Sequence, residues 1–558
     1  MNAPATHGIC TNLPSACSHA ATRTPVPMST PETRCPECQA RLLPAAATTP
    51  AAATRGLAPW VIATALALLA AALLVGWLLM RPGNRAAPAK PAAAASTLQR
   101  AGTVAGSGDV VPQLAPGTQT LRVHGSNTVG AALAPALLES FLRQQGYTEV
   151  TTQPGARLEE RVMRAANADG TARVEVQLHA HGTATAFTDL AAGTADVGMA
   201  SRPIKKDELA ATQALGDLSS AGSEHVIALD GLAVVVNPAN PVQRLSIEQL
   251  RRVFSGQVTN WAEVGGTSGP IVVHARDDKS GTYDTFKSLV LGKDALVGTA
   301  RRHEDSTALS DAVALDPQAI GFIGLPYVRN ASAVSVSDGA AVPLRPSHFT
   351  VATEDYALSR RLYLYVGREA PELARRFVTY AASDEAQRIA DAQGFIGQLP
   401  DASEPGAAAV AVADLPPAYR ALTDGGRRLS VNLRFVAGAE GLDNKARRDM
   451  GRIVRLLERR LKQDERVMLL GFSDALGGDC ANQRLSQQRA TAVATELATY
   501  GVRPAVVHGF GSAAPIASNE TGAGRERNRR VEVWLTSKAV AQPEAVKCAS
   551  PVAAAASR

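Results

Sequence analysis

Leu57 to Met80 is a run of 24 residues without one charged side chain, and it divides what the chain can become. A helix rises about 1.5 Å per residue, so the run is long enough to cross about 30 Å of hydrocarbon. Trp60 and Trp77 stand near its ends, where indoles favour the membrane interface. The run predicts a single-pass transmembrane helix over 57–80. A secretory signal has an apolar core of about 7 to 15 residues close to the chain start. Here 56 residues come first, which leaves cleavage near Ala92 to Ser96 as the minor alternative.

Orientation is read two ways. Arg81, Arg85 and Lys90 follow the span and Arg41 and Arg55 precede it, a bias that weakly places the N-terminus outside. The domain content described below places the large C-terminal part outside, in the periplasm of an inner-membrane protein. That argument outweighs a difference of one or two charges.

The first 56 residues, rich in Pro, Thr and Ala, are expected to be disordered. They hold Cys10, Cys17, Cys35 and Cys38. Cys35-Pro36-Glu37-Cys38 has the spacing of half a zinc ribbon, but a tetrahedral site needs two further ligands. Cys10 and Cys17 do not supply a recognised second half, so Cys35 and Cys38 stay a weak metal candidate, and a start at Met28 would remove Cys10 and Cys17. Beyond the span, Cys480 and Cys548 can pair in an oxidising compartment. With Cys548 in an Ala/Pro tail, unpaired thiols are the expectation.

At 558 residues and 46% hydrophobic, the chain exceeds what one core organises, which predicts two folded domains plus linkers. From 117 to 400, short β-branched runs (Val174–Val176, Ala233–Val236, Ile271–Val273) alternate with helical stretches, the pattern of an α/β architecture. Its turns carry the chemistry. Gly125-Ser126-Asn127-Thr128 follows a strand and precedes an apolar helical series at Leu133, Leu137, Leu138 and Phe141. Such a turn offers N–H and O–H groups to an anion, or simply caps a helix. Arg276 stands four residues before Ser280-Gly281-Thr282, so a guanidinium fork and a hydroxyl turn can face one ligand; a solvated Arg beside a capped helix is the plainer reading. Ser201-Arg202 ends a third strand. Donor-rich turns with no nucleophile and base beside them describe an oxyanion receptor rather than an enzyme, and the same absence leaves a phosphatase without a metal cluster or activated nucleophile.

Several runs now resemble the PstS-type periplasmic phosphate-binding proteins: Leu229-Asp230-Gly231 through Asn240, Leu250 to Gly256, Asn260-Trp261, Arg276 to Thr282, Ala319 to Gly324, and Ser383 to Phe395. The likeness covers roughly 118–400. It implies two α/β lobes closing on a dehydrated oxyanion, with Ser126, Asn127 and Thr128 in the first turn, Ser201 in a second lobe-one contact, and Arg276, Ser280, Gly281 and Thr282 from lobe two. Where many members have a Gly-Ser-Gly turn this chain has His181-Gly182-Thr183-Ala184, and Thr183 is the candidate there. Some members place an Asp at Ser201, which accepts the proton of hydrogen phosphate and excludes sulfate. Its replacement leaves the choice among tetrahedral oxyanions open.

The C-terminal end, roughly 428–537, resembles the OmpA-like peptidoglycan-binding domain through Gly471-Phe472-Ser473-Asp474, Asn482 to Ser486 and Arg489, and Asn519 to Arg530. The resemblance implies that Asp474 receives the ammonium of a wall-peptide diaminopimelate and Arg489 its carboxylate, with Asn482 and Arg529 completing the motif. An ordinary Asp474–Arg489 salt bridge is the alternative. Departures are Phe472 for the usual His and Phe435-Val436-Ala437 where Phe-Asp is common. Stripes at Met450, Ile453, Val454, Leu457 and Leu461, and at Leu485, Val493 and Leu497, predict two helices, and Val467–Leu470 and Val531–Leu535 predict strands of a small α/β sandwich. From Arg427 to Lys538 there are 20 Lys and Arg against 12 Asp and Glu, either a solvated basic face or attraction to an anionic wall polymer. No aromatic residues interleave these charges, which argues against nucleic acid.

The layout expected is a disordered region over 1–56, the span at 57–80, a tether at 81–117, the two-lobed domain at 118–400, a linker at 401–427, the wall module at 428–537 and a disordered tail at 538–558. Phosphate or a similar oxyanion and peptidoglycan are the expected partners, with an ABC transporter permease open and no cofactor called for. A membrane-to-wall tether that binds no solute is the competing function.

Overall fold

The computed structural model describes residues 117–544 except 158, 279, 403–414, 437–440 and 461–464, together with three short N-terminal strands. The chain divides into two compact units, Met1–Val110 and Val111–Arg558. In the first, His7–Cys10 pairs antiparallel with Val26–Pro27 and Leu42–Pro44, in a region expected to have no fixed structure. The Leu57–Met80 run and the side chains of Cys35 and Cys38 lie outside the described residues. Among the described residues no helix is long and apolar enough to cross a membrane, and no group of three or more His, Cys, Asp or Glu is placed to hold a metal.

In the second unit a mixed sheet runs through both lobes of the larger domain. Its main strands are β1 Gly117–Gly125, β2 Glu149–Pro154, β3 Glu160–Ala166, β4 Ala172–His179, β5 Val197–Ala200, β6 Glu224–Val236, β7 Val272–Arg276, β8 Arg301–His303, β9 Ala319–Gly324 and β10 Ser359–Val366, in the order β8-β7-β9-β6-β10-β5-β1-β4-β3-β2, and the two-residue strand Ser332–Ala333 pairs with β6 off this path. The expected β-branched runs fall in β4, β6 and β7. With 13 residues, β6 is the backbone of the arrangement: Glu224–Gly231 pairs with β10 and Leu232–Val236 with β9, so one strand belongs to both lobes. Each lobe has its own core. Lobe one packs α1 (Ala134–Gln144), with Leu137, Leu138 and Phe141 fully buried, against β1 and β4. Lobe two gathers Phe254, Trp261, Phe286 and Phe322 behind β6, β7 and β9.

The small domain is a four-stranded sheet, β11 Arg427–Arg434, β12 Arg466–Gly471, β13 Val506–Gly509 and β14 Arg530–Thr536, in the order β11-β14-β12-β13. Two helices cover it, α5 (Asn444–Arg460) and α6 (Asp479–Thr499). Met450, Ile453, Val454, Leu457, Val493 and Leu497 join its core as their spacing predicts, whereas Leu461 lies outside the described residues. Leu485 is only half-buried. The face α6 turns inward at its start is polar, with Asn482, Ser486 and Arg489, because Ser486 O lies so near Gly471 that a Cβ there would sit 2.2 Å away. The linker is shorter than 401–427. Leu415 and the helix Pro417–Thr423 belong to the small domain, burying Tyr419 and Leu422 beside Trp534, with the Tyr419 hydroxyl bonded to Glu532 at 2.9 Å. The tail from 538 begins with contacts too, Lys538 to Asp424 and Gln542 to Val507. Cys480 is disulfide-bonded, which overturns the expectation of a free thiol.

The small domain is seated on the larger one at the segment leading into β10. Glu354 holds a left-handed φ of 59°, a conformation that persists only when its surroundings fix it. They do: its carboxylate takes Arg361 Nε and Nη2 at 2.7 and 3.0 Å, and Arg361 Nη1 reaches Asp443 of the small domain at 2.8 Å. Beside it, Arg428 of β11 pairs with Asp355 at 2.8 Å and Asn432 bonds the same carboxylate at 2.7 Å. Burial alone would raise the pKa of both Glu354 and Asp355, but the facing guanidinium groups hold them below the usual carboxylate range.

Candidate functional site

β1 ends at Gly125, whose φ of +140° and 2.1 Å distance from a hypothetical Cβ to Met199 O leave room for glycine alone. That sharp exit turns Ser126, Asn127 and Thr128 out at the start of a helical segment, Val129–Leu133 leading into α1. Ser126 is held by its N–H on Met199 O at 2.8 Å. Beneath the turn, His124 stacks on His179 with centroids 4.1 Å apart. From lobe two, Ser280 caps the short helix α2 (Gly281–Phe286), its Oγ accepting from Thr282 N at 3.2 Å. Arg276, the last residue of β7, is braced through Nε to His303 O (3.2 Å), Nη1 to Ser306 Oγ (2.5 Å) and Nη2 to Glu304 O (2.7 Å). Three of its five N–H donors are thus spent on setting the guanidinium in place.

The two turns face each other. A Cβ on Gly281 would lie 2.3 Å from Thr128 Oγ1, so the lobes touch there. Asn127, Thr128, Arg276, Ser280, Gly281 and Thr282 line one cavity of about 420 Å³. Ser126, Thr183 and Ser201 line a second, of about 970 Å³, which also reaches the small domain. Thr183 and Ser201 share a hydroxyl contact of 3.0 Å, and Ser201 N donates to Thr183 Oγ1 at 3.1 Å. The nine candidate residues therefore divide between two cavities, and the Thr128–Gly281 contact joins the lobes within the first. Arg202 is committed to Glu208 through bonds of 2.8 and 2.6 Å.

Sequence reasoning missed the side chain at the junction. Arg360 on β10 is buried; its Nη2 donates to Thr128 Oγ1 at 2.6 Å and to Gly281 O at 3.0 Å, and its Nε to Asp230 Oδ2 at 3.1 Å. The available signal was the pair Arg360-Arg361 entering an otherwise apolar strand. Alternation along a strand sends adjacent side chains to opposite faces, here one to the turns and one to the small domain.

In the small domain Asp474 is nearly buried, its Oδ1 accepting from Leu476 N at 2.9 Å and its Oδ2 from Arg529 Nη1 at 2.9 Å. Its salt-bridge partner is Arg529 rather than Arg489. Arg489 lies 5.5 Å from the Phe435 ring centre, and Asn482 is buried in the first turn of α6. Phe472 carries Arg530 on its ring at 3.9 Å and packs with Tyr419 and Phe510, a structural use for the replaced His.

Two family models match the chain, a PBP superfamily domain over residues 110–385 and the OmpA family over 434–529. Protein SphX of Synechococcus elongatus is 33% identical over 238 residues, 40% of this chain and 69% of that protein. The phosphate-binding protein PstS of Bacillus subtilis is 29% identical over 225 residues, 40% of this chain and 71% of that one. Among solved structures, an ABC-type phosphate transport receptor from Vibrio cholerae is similar at 27% identity and a TM-score of 0.39, over 50% of this chain and 99% of its own.

Proposed function

The chain belongs to the PBP superfamily through a PstS-like domain and carries a C-terminal OmpA family domain, and from that premise we propose a periplasmic receptor for phosphate or a similar tetrahedral oxyanion that is also held to peptidoglycan. The observation that carries this reading is the cavity of about 420 Å³ onto which the two lobes converge their donors, Thr128 from one and Arg276, Ser280 and Thr282 from the other. Backbone and hydroxyl donors at helix starts, with one braced guanidinium, suit a compact oxyanion. Ser126, Thr183 and Ser201 complete the anion contacts when the lobes shift. In the small domain Asp474, Asn482, Arg489 and Arg529 take the wall peptide.

The Leu57–Met80 run anchors the receptor in the inner membrane, with everything after it in the periplasm; an oxidised Cys480 supports that compartment. A receptor fixed to both membrane and wall serves phosphate uptake, handing ligand to an ABC transporter permease, or reports on phosphate supply. No catalytic residue is assigned.

Calorimetric titration of the full chain with phosphate, sulfate and molybdate tests the reading. Saturable phosphate binding supports it. Absence of heat with all three anions overturns it in favour of a tether between membrane and wall, whose function would rest on the small domain alone.

A further inference from the structure

Resting on the receptor reading, we infer that Asp230 is the residue by which the cleft distinguishes hydrogen phosphate from sulfate, and that Arg360 positions it. Monohydrogen phosphate carries an O–H that must be accepted, whereas sulfate at neutral pH has none. A cavity lined with donors alone holds both ions. A carboxylate acceptor in that cavity welcomes the first and repels the second, since a buried acceptor facing an acceptor leaves both unpaired.

Ser201 does not line the cavity of about 420 Å³; it lines the other one, where its hydroxyl meets Thr183, and a hydroxyl carries no charge to repel sulfate. Asp230 does line it, with Thr128, Arg276, Ser280 and Thr282. It sits on β6, the strand shared by the lobes, one residue before that strand changes partner from β10 to β9 near Gly231 and Leu232. Its Oδ2 is fixed by Arg360 Nε, and the same guanidinium bonds Thr128 of one turn and Gly281 of the other. The carboxylate is therefore indexed to both anion turns at once. Its Oδ1 accepts no hydrogen bond among the described residues, leaving an acceptor for the ligand proton.

No other carboxylate lining the cavity bonds Arg360. Asp305 caps the helix Ser306–Leu315, accepting from Ala308 N at 2.7 Å, and Glu159 and Asp277 have partners of their own. Asp230 is the one whose partner is a buried Arg placed between the turns.

The test is competitive calorimetry of the full chain with phosphate and sulfate at neutral pH, on the wild type, Asp230→Asn, Asp230→Glu and Arg360→Lys. The amide keeps the size and a bond to the cleft but adds a donor where sulfate offers only acceptors. Expected is a phosphate-to-sulfate affinity ratio that falls at least about tenfold in Asp230→Asn, the loss of one charge-assisted hydrogen bond, with sulfate binding gained. Misfolding cannot produce a gain. Asp230→Glu recovers part of the ratio, and Arg360→Lys, which keeps the charge but not the fork, lowers it. An unchanged ratio in Asp230→Asn, loss of both anions in that variant, or a wild type that binds both ions equally overturns the inference while leaving the receptor reading in place. A wild type that binds neither ion overturns the receptor reading and this inference with it.

Discussion

Arg527 of the small domain donates through Nη2 to the carbonyl oxygen of Tyr356 at 2.6 Å. The same guanidinium reaches Glu354 O at 3.0 Å, Asp355 O at 3.1 Å and Ala357 O at 3.3 Å, so one side chain satisfies four consecutive carbonyls of the segment that leads into β10. Burial draws its pKa down to about 10, which still leaves it charged at neutral pH. Arg527→Ala strands those carbonyls, each of which costs about 1–3 kcal/mol when buried unpaired. With water entering to soften the loss, a net destabilisation of about 3 kcal/mol is expected. Urea unfolding of the wild type should be a single transition for both domains, and the variant should split it; a single unshifted transition would show that Arg527 does not hold the domains together.

Acid should loosen the same interface through His225. Its Nε2 faces Gly222 O at 3.1 Å and its Nδ1 faces Arg448 Nη2 of the small domain at 3.2 Å, which fits a neutral ring with the proton on Nε2. Burial, with Arg448 adding to it, lowers the pKa to about 4. A free imidazole titrates near 6.5, so between that value and about 4 the unfolded chain binds the extra proton and the folded one does not. Stability therefore falls as pH drops through this window, by about 3 kcal/mol in all at about 1.4 kcal/mol per pH unit. Denaturation midpoints measured across it should fall in the wild type and stay flatter in His225→Gln. Parallel pH profiles for the two proteins would remove His225 from the account.

The local parts of this molecule were legible and the long-range pairings were not. Gly125 to Thr128 and Arg276 to Thr282 announce themselves because strand, turn and helix start are contiguous, and the apolar stripes at Leu137 and Phe141 or Ile453 and Leu457 follow from helical period alone. Arg360 and Asp230 stand 130 residues apart in sequence, and no period links them. The basic excess of the small domain reads as a solvated face or a wall-polymer attractant, yet Arg428, Arg434, Arg448, Arg452 and Arg527 each commit at least one donor to the larger domain. Composition records charge but not which surface receives it. Leu485 failed for a related reason: close approach of α6 to Gly471 and Gly509 turns a polar stripe inward where hydrophobicity alone predicts an apolar one.

Arg276 should dominate anion affinity. Its guanidinium is already braced by His303 O, Ser306 and Glu304 O, so little ordering remains to be done when ligand arrives. Replacing it with Ala removes a bidentate charge-assisted contact worth about 3 kcal/mol, or about 100-fold in affinity. Arg276→Lys keeps the charge but not the fork, and should recover only part of it. Isothermal titration of the folded variants with phosphate decides the matter, since affinity retained in Arg276→Ala would place the anion elsewhere.

Asp474 poses the corresponding question for the wall. Its carboxylate is held between Leu476 N and Arg529, a geometry in which Oδ1 and Oδ2 are both occupied and an incoming ammonium must share them. Charged hydrogen bonds accept such sharing, because a carboxylate offers about four lone-pair sites. Asp474→Ala should then lose co-sedimentation with purified peptidoglycan by about tenfold, one charge-assisted contact. It also leaves Arg529 without this partner, so a loss from misfolding has to be separated from a loss of ligand. Asp474→Asn does so: it keeps the shape and one acceptor, so that only one of Leu476 N and Arg529 loses its bond, but it has no charge for an ammonium, and it should sediment as poorly as the Ala variant while losing less stability. If Asp474→Asn binds the wall as well as the wild type, the aspartate serves the fold of the loop, and wall binding must be sought at Arg489 and Asn482 instead.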